Sequence, residues 1–142
     1  MDAKYNLNER LIDFAVAILK ISAKFPKTVE ANHIAGQIVR SGTAPALHYG
    51  EAQAAESSKD FVHKMKVALK ELRETFNGLR ISRKMSWLPD EEFVWVIDEN
   101  NQLISIFYKS IETAQKNNAN KHNTRNPGNK KYDNQNGENI PK

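Results

Sequence analysis

The sequence contains no cysteine among its 142 residues, which excludes a disulfide framework, a thiolate metal site and a cysteine nucleophile. It also has no apolar run near the ~20 residues that a membrane-spanning helix requires. The best candidate, Leu11 to Ile21, is interrupted by Asp13 and Lys20. The N-terminus lacks a basic segment followed by an apolar one, so it does not read as a signal peptide. We expect a cytoplasmic protein that makes no membrane contact.

Sequence motifs of the common enzyme classes are missing as well. The chain has no Gly-x-Ser-x-Gly elbow, no P-loop and no Gly-x-Gly-x-x-Gly after a strand, and spacing singles out no Ser-His-acid set. Glu30 with His33, and Asp60 with His63, have a spacing related to that of di-iron bundles. Each pair opens a helix, and antiparallel helices place those openings at opposite ends of a bundle. We therefore expect no enzyme, no cofactor and no metal site.

The formal net charge of +4 is concentrated near the C-terminus. Residues 1–116 hold 16 Lys and Arg against 15 Asp and Glu, whereas residues 117–142 hold 5 against 2. The latter segment contains nine asparagines but only Tyr132 and Ile140 as large apolar or aromatic residues, too few to offset the entropy lost on ordering. We predict a domain at residues 1–116 and a disordered, basic tail at 117–142. Its scattered cations favour a solubilising role over polyanion binding.

Apolar residues recur at helical spacing in four segments, and no strand pattern competes with them. Phe25-Pro26 ends the first segment, and Pro89 opens the fourth. Thr28 and Ser57 are candidate N-caps of the second and third. Because the connections are short, we predict an all-α, antiparallel up-down-up-down four-helix bundle. The residues expected to face inward are Leu11, Phe14, Ala15, Ile18, Leu19 and Phe25; Ile34, Ile38 and Leu47; Phe61, Met65, Ala68, Leu69, Leu72, Phe76 and Leu79; and Phe93, Val94, Ile97, Ile104, Phe107, Tyr108 and Ile111.

The second helix contains residues that oppose helix formation, namely Gly36, Gly42, Pro45 and Gly50. An interior Gly costs about 1 kcal/mol relative to Ala, and an interior Pro about 3 kcal/mol. These residues predict a kink and a close approach to a neighbouring helix. Polar residues in the same stretch form either a structural network that fixes helix register or a ligand pocket. We favour the network because buried polar groups need hydrogen-bond partners in any helical bundle. They are Arg40, Ser41, Thr43, His48 and Glu51.

The third helix carries a one-sided basic stripe. At about 100° per residue, six cations fall within one narrow sector that contains no acid and points away from the apolar stripe. The six are Lys59, Lys66, Lys70, Arg73, Arg80 and Lys84. Three interpretations of the stripe stay open. It is a solvated face, a surface that follows a phosphate backbone, or a surface that binds the acidic fourth helix of a neighbouring subunit. No aromatic residue is interleaved in the basic sector, so any nucleic-acid binding should be driven by phosphate contacts.

Several short motifs follow one another in a distinctive order, and this order resembles that of a known protein family. They are Gln37, Arg40-Ser41-Gly42-Thr43, Glu51-Ala52 and Ala68-Leu69-Lys70-Glu71. Over roughly residues 8–116 the chain resembles the bacterial four helix bundle proteins, also called 23S rRNA-intervening sequence proteins. His48 stands where asparagine is common in that family, and Pro45 lies one place before the proline of some members.

The resemblance implies a four-helix bundle that assembles as a ring-like homo-oligomer, with a pentamer expected. A relative of the family, the accessory protein of diversity-generating retroelements, binds nucleic acid and a reverse transcriptase, which favours nucleic acid by analogy. We therefore expect a non-enzymatic protein that associates with RNA or DNA through the third helix. The alternative is a protein-interaction scaffold that makes no direct nucleic-acid contact.

Overall fold

Four α-helices make up the part of the chain that a computed structural model describes, residues 6–125, with side chains described for residues 6–120. Helix α1 spans Leu7–Ala23, α2 spans Val29–Gln53, α3 spans Ser58–Lys84 and α4 spans Glu91–Arg125. No strand occurs within these described residues, and none of their helices is long and apolar enough to cross a membrane. The predicted all-α class is confirmed.

Short polar side chains cap the starts of three helices. The side chains of Asn6, Thr28 and Ser57 accept hydrogen bonds from the backbone N–H three residues later, at 3.1, 3.1 and 3.0 Å. Each bond satisfies one of the backbone donors that the first helical turn leaves without an internal partner. The predicted N-caps Thr28 and Ser57 are therefore confirmed. Pro89 precedes α4 by two residues, and its carbonyl accepts from the Glu92 N–H at 3.0 Å.

A Schellman turn ends α3 and directs the chain into the connection to α4. Ser86 adopts a left-handed conformation with φ of 57°, which costs a residue with a side chain about 1–2 kcal/mol. Its N–H donates to the Arg83 carbonyl at 3.0 Å, and the Trp87 N–H donates to the Ser82 carbonyl at 3.3 Å. These two bonds satisfy carbonyls at the end of the helix.

Contacts between helices establish the up-down-up-down arrangement. Arg10 of α1 pairs with Glu99 of α4, and Lys24, the C-cap of α1, pairs with Glu92 of α4, so the residue numbers run in opposite directions. The Ser41 hydroxyl lies 2.7 Å from the Thr75 hydroxyl across α2 and α3. The five-residue connection between α1 and α2 likewise turns the chain back on itself. The predicted antiparallel bundle is confirmed.

Most of the predicted inward-facing residues line the core, but four do not. Leu19 and Leu47 are 46% and 69% exposed, and Val94 and Tyr108 are both 57% exposed. Leu47 is nine residues after the buried Ile38, which at 100° per residue places it on the opposite side of α2. Val94 and Tyr108 each follow a buried phenylalanine by one residue and so point about 100° away from it. The sequence prediction was wrong for these four residues.

The buried stripe of α4 repeats at intervals of three and four residues. It consists of Phe93, Val96, Asn100, Leu103, Phe107 and Ile111. Phe93 packs against Phe25, two residues beyond the end of α1, with ring centroids 6.5 Å apart, and Phe107 packs edge-on against Tyr49 of α2 at 6.0 Å. One helix face therefore joins α4 to the α1–α2 connection and to α2.

The chain divides into two units, one ending at Ile111 and the other beginning at Glu112. The described part of the second unit is helical as far as Arg125, so residues 117–125 form a helix where we predicted the start of a disordered tail. Extending a formed helix requires no new nucleation, which explains how an asparagine-rich sequence remains helical there. Residues 126–142 lie outside the described part of the chain, and for them the tail remains a prediction.

Two glycines allow neighbouring helices to approach closely. A Cβ added at Gly42 would lie 2.8 Å from two carbons of Ile18, and one added at Gly78 would overlap the Cγ2 atom of Ile38. Gly36 and Gly50 have no such neighbour within 4 Å. The close approach predicted for the glycines of α2 thus holds at Gly42 alone, while α3 supplies the second contact. Helix α2 continues through Pro45, which is buried.

Alanine substitutions at the glycines should have opposite effects on stability. We expect Gly78→Ala to lower the free energy of unfolding by about 1–3 kcal/mol, because its methyl group would overlap a buried, branched side chain. Gly50→Ala should raise it by up to about 1 kcal/mol through helix propensity. Urea unfolding followed by circular dichroism measures both, and equal stability of Gly78→Ala and wild type would contradict the close contact.

Candidate nucleic-acid interface

Helix α3 buries one continuous face, and this fixes the direction of the opposite face. Its buried residues recur every three or four positions from the first turn to the last, which is the spacing of a single helical stripe. They include Val62, Met65, Ala68, Leu72, Thr75, Leu79 and Ser82. Residues on the opposite side of α3 are held outward because the core fixes the rotation of the helix about its axis.

All six cations of the predicted stripe are exposed on α3. We call them the basic face: Lys59, Lys66, Lys70, Arg73, Arg80 and Lys84. None of the six forms an ion pair with a side chain of residues 6–120. At a rise of 1.5 Å per residue, the basic face extends about 37 Å along the helix. It is therefore a long, uncompensated strip of positive charge.

Every acid of α3 pairs with a cation that is not part of the basic face. The Lys64 ammonium donates to both carboxylate oxygens of Asp60, at 3.0 and 3.2 Å. This hydrogen bond is the main reason why the pKa of Asp60 is lowered, and the pKa of Lys64 is raised by the same bond. Arg40 of α2 pairs with both Glu71, at 3.2 Å, and Glu74. The negative charges of α3 are thus neutralised by residues outside the basic face.

The predicted polar network of α2 separates into three groups. Arg40 and Ser41 contact α3, as described above. The Thr43 hydroxyl donates to the Val39 carbonyl of its own helix at 2.7 Å. His48 Nδ1 lies 3.6 Å from a carboxylate oxygen of Glu51. The structure therefore brings two of the five residues to the α2–α3 interface. Thr43 is hydrogen-bonded within α2, and His48 and Glu51 lie near each other on the same helix.

The hydroxyl groups of Ser41 and Thr75 form a buried chain that crosses the interface. Both residues are fully buried. The Thr75 hydroxyl donates its hydrogen to the Glu71 carbonyl at 2.9 Å. Since a hydroxyl has one hydrogen, Ser41 must be the donor in the 2.7 Å bond between the two side chains. The chain fixes α2 against α3 immediately beside the Arg40 ion pairs.

One partly buried ion pair was not predicted from the sequence. The Arg10 guanidinium of α1 donates to both oxygens of Glu99 of α4, at 2.9 and 2.8 Å. This bond is the main reason why the pKa of Arg10 is raised. The partners are 89 residues apart, so no local pattern relates them. The adjacent Asn100 is fully buried, and its amide atoms have no hydrogen-bond partner among the described residues.

The two carboxylate–histidine pairs lie at the starts of α2 and α3. These helices are antiparallel, so Glu30 and His33 lie at one end of the helix pair, and Asp60 and His63 lie at the other. Among the described residues, no group of three or more histidine and acidic side chains is arranged to hold a metal ion.

Ser41→Ala should lower the free energy of unfolding by about 1 kcal/mol, because it removes the buried donor to Thr75. Thr43→Val is the matched control, since it removes a hydroxyl that bonds only within α2, and we expect a smaller change. Urea unfolding measures stability, and a gel shift measures nucleic-acid affinity, which Ser41→Ala should leave unchanged. Unchanged stability together with weakened affinity would contradict a structural role for Ser41.

Comparison with known proteins agrees with this architecture. The family model of the 23S rRNA-intervening sequence protein matches residues 4–109. A crystal structure of a protein with unknown function from the S23 ribosomal protein family of Bacteroides thetaiotaomicron is similar, with 25% sequence identity and a TM-score of 0.66. The similarity covers 73% of this chain and 96% of that one. No curated protein matches the chain. The chain belongs to the 23S rRNA-intervening sequence protein family.

Proposed function

We propose that this chain is a non-enzymatic, homo-oligomeric protein of the cytoplasm that associates with RNA through the basic face of α3. One observation carries the proposal: the six exposed cations have no carboxylate partner among the described residues, whereas all three acids of the helix do. The names of the family and of the S23 relative, which refer to ribosomal RNA and to a ribosomal protein, support RNA as the nucleic acid.

Binding of this kind works by neutralising phosphates. Each phosphate that pairs with a cation releases condensed counterions, so log Kobs falls with log salt by about 0.7–0.9 per phosphate contact. Lysine and arginine on one helix face supply such contacts without reading base edges. The basic face should therefore bind with little dependence on base sequence and with strong dependence on salt.

Self-association would place several copies of the basic face on one assembly. An exposed apolar stripe on α1, made of Ile12, Val16 and Leu19, supports it because each of these side chains is between 40% and 46% exposed. They recur at intervals of four and three residues, so they lie along one side of the helix. We assign this stripe to contacts between copies of the chain, in the ring that the family resemblance implies.

A second candidate function is a protein-interaction scaffold without nucleic-acid contact. The observations that favour it are the same α1 stripe and the acidic segment of residues 90–116, which holds 6 acids against 2 cations. Such a surface could meet the basic face of another protein chain. The two functions differ in whether the basic face binds RNA at low salt.

Reversing four charges of the basic face should strongly weaken RNA binding. The variant carries glutamate at Lys66, Lys70, Arg73 and Arg80. A gel shift repeated over a salt series should show a large loss of affinity and a salt slope that is shallower by about three.

The control for that variant has the same change in net charge but leaves the basic face intact. It carries glutamate at four other exposed lysines, Lys20, Lys27, Lys109 and Lys116, and it should bind much more tightly than the basic-face variant. If wild type binds neither RNA nor DNA at low salt, the nucleic-acid function is wrong and the scaffold remains. Equal binding by both variants would mean that RNA contacts a surface other than the basic face of α3.

Light scattering on the full chain tests self-association. We expect an oligomer at micromolar concentration, with a pentamer as the specific expectation, and a smaller species when Val16 of the α1 stripe is changed to aspartate. Val16→Asp should fold because the side chain is 42% exposed. A monomeric wild-type protein would contradict the homo-oligomer.

A further inference from the structure

A pocket of about 370 Å³ lies where the last turns of α3 meet the start of α4. Its lining residues are Phe76, Arg80, Arg83, Lys84, Asp90 and Ile97. The volume is at the lower end of the range for small-ligand sites, about 300–1,000 Å³. An aromatic and an aliphatic side chain form its apolar part, and three cations and one acid supply its charge.

The charges of this pocket leave two cations without a partner. Arg83 Nε donates to a carboxylate oxygen of Asp90 at 3.2 Å, so these two residues neutralise each other. Arg80 and Lys84 form no ion pair with residues 6–120. The pocket thus combines an apolar surface with an uncompensated positive charge. A ligand that matches it has a flat, apolar body and an attached anionic group.

The guanidinium of Arg80 lies over the ring of Phe76. The Cζ atom of Arg80 lies 5.8 Å from the centre of the Phe76 ring, within the range of a cation–π interaction. A guanidinium held in this way presents a flat surface on which a nucleobase can stack, as arginines do in RNA-binding proteins. This arrangement was not evident from the sequence, because Phe76 lies outside the basic sector.

Two residues connect the pocket to the basic face. Arg80 and Lys84 are the last two members of the face and also line the pocket. A strand whose phosphates follow α3 from Lys59 would therefore reach the pocket at its end. Double-stranded RNA keeps its bases stacked and paired, whereas loops and bulges offer unpaired bases that can leave the stack.

We propose that this pocket binds one unpaired base of an RNA loop or bulge, an inference that rests on the proposed RNA association. The base stacks on the Arg80 guanidinium, its edge lies against Ile97, and Lys84 contacts the adjoining phosphate. The basic face supplies affinity for any RNA, and the pocket adds a preference for RNA with an unpaired base.

The test compares a hairpin RNA with a blunt duplex that has the same number of phosphates, using fluorescence anisotropy. We expect wild type to prefer the hairpin by about 5- to 100-fold, the contribution of stacking one base. Arg80→Lys keeps the charge but removes the flat guanidinium. It should lose most of this preference, while its affinity for the duplex should change no more than that of the matched variant Arg73→Lys. Phe76→Leu, checked for folding by circular dichroism, should have the same effect.

Arg73→Lys is the matched control, since it makes the same exchange on the basic face outside the pocket. It should leave the preference for the hairpin unchanged. A 2-aminopurine base in the loop reports directly on stacking, and its fluorescence change on binding should disappear in Arg80→Lys but not in Arg73→Lys. Equal affinity of wild type for hairpin and duplex, or equal behaviour of the two lysine variants, would overturn the pocket while leaving RNA association intact. Binding to neither RNA would instead reject the proposed function.

Discussion

Helices α2 and α3 approach closely because Gly78 presents no side chain to Ile38. The buried bond between the Ser41 and Thr75 hydroxyls then fixes the position of one helix along the other. In that position Arg40 reaches Glu71 and Glu74 on α3. Since those are two of the three acids of α3, the packing of the core determines which charges remain uncompensated on the outer face. The basic face is in this sense a product of the α2–α3 contact.

The helices and the basic face were predictable from the sequence because both follow from a single period. Apolar residues that recur every three or four positions define a helix and its buried side, and the same arithmetic places the six cations together. The errors arose where this arithmetic was not applied strictly. Leu47 is hydrophobic, but it lies nine residues after Ile38, and this spacing predicts that it faces outward.

Features that join distant parts of the chain were not predictable. The Arg10–Glu99 pair links residues from α1 and α4, and any of several cations has the charge to pair with Glu99. The pocket draws on α3, the connection after it and α4, so it exists only once these have packed. Buried Asn100 occupies a position of the α4 stripe at which the spacing predicts an apolar residue. Asparagine is polar, so residue type predicts that this position is exposed, whereas its spacing within the stripe predicts that it is buried.

The ion pairs of Arg40 also have an evolutionary consequence. Glu71 and Glu74 directly follow Lys70 and Arg73 in the sequence, and charges interact over about 8 Å at physiological ionic strength. Loss of Arg40 would leave two carboxylates without their partner beside the basic face. Arg40 therefore shields the basic face of α3 from the charges of Glu71 and Glu74. Substitutions of Arg40 and of these two glutamates are expected to be tolerated only in combination. Such epistasis would tie the segment Arg40-Ser41-Gly42-Thr43 to Lys70 and Arg73 as well as to its direct partners on α3.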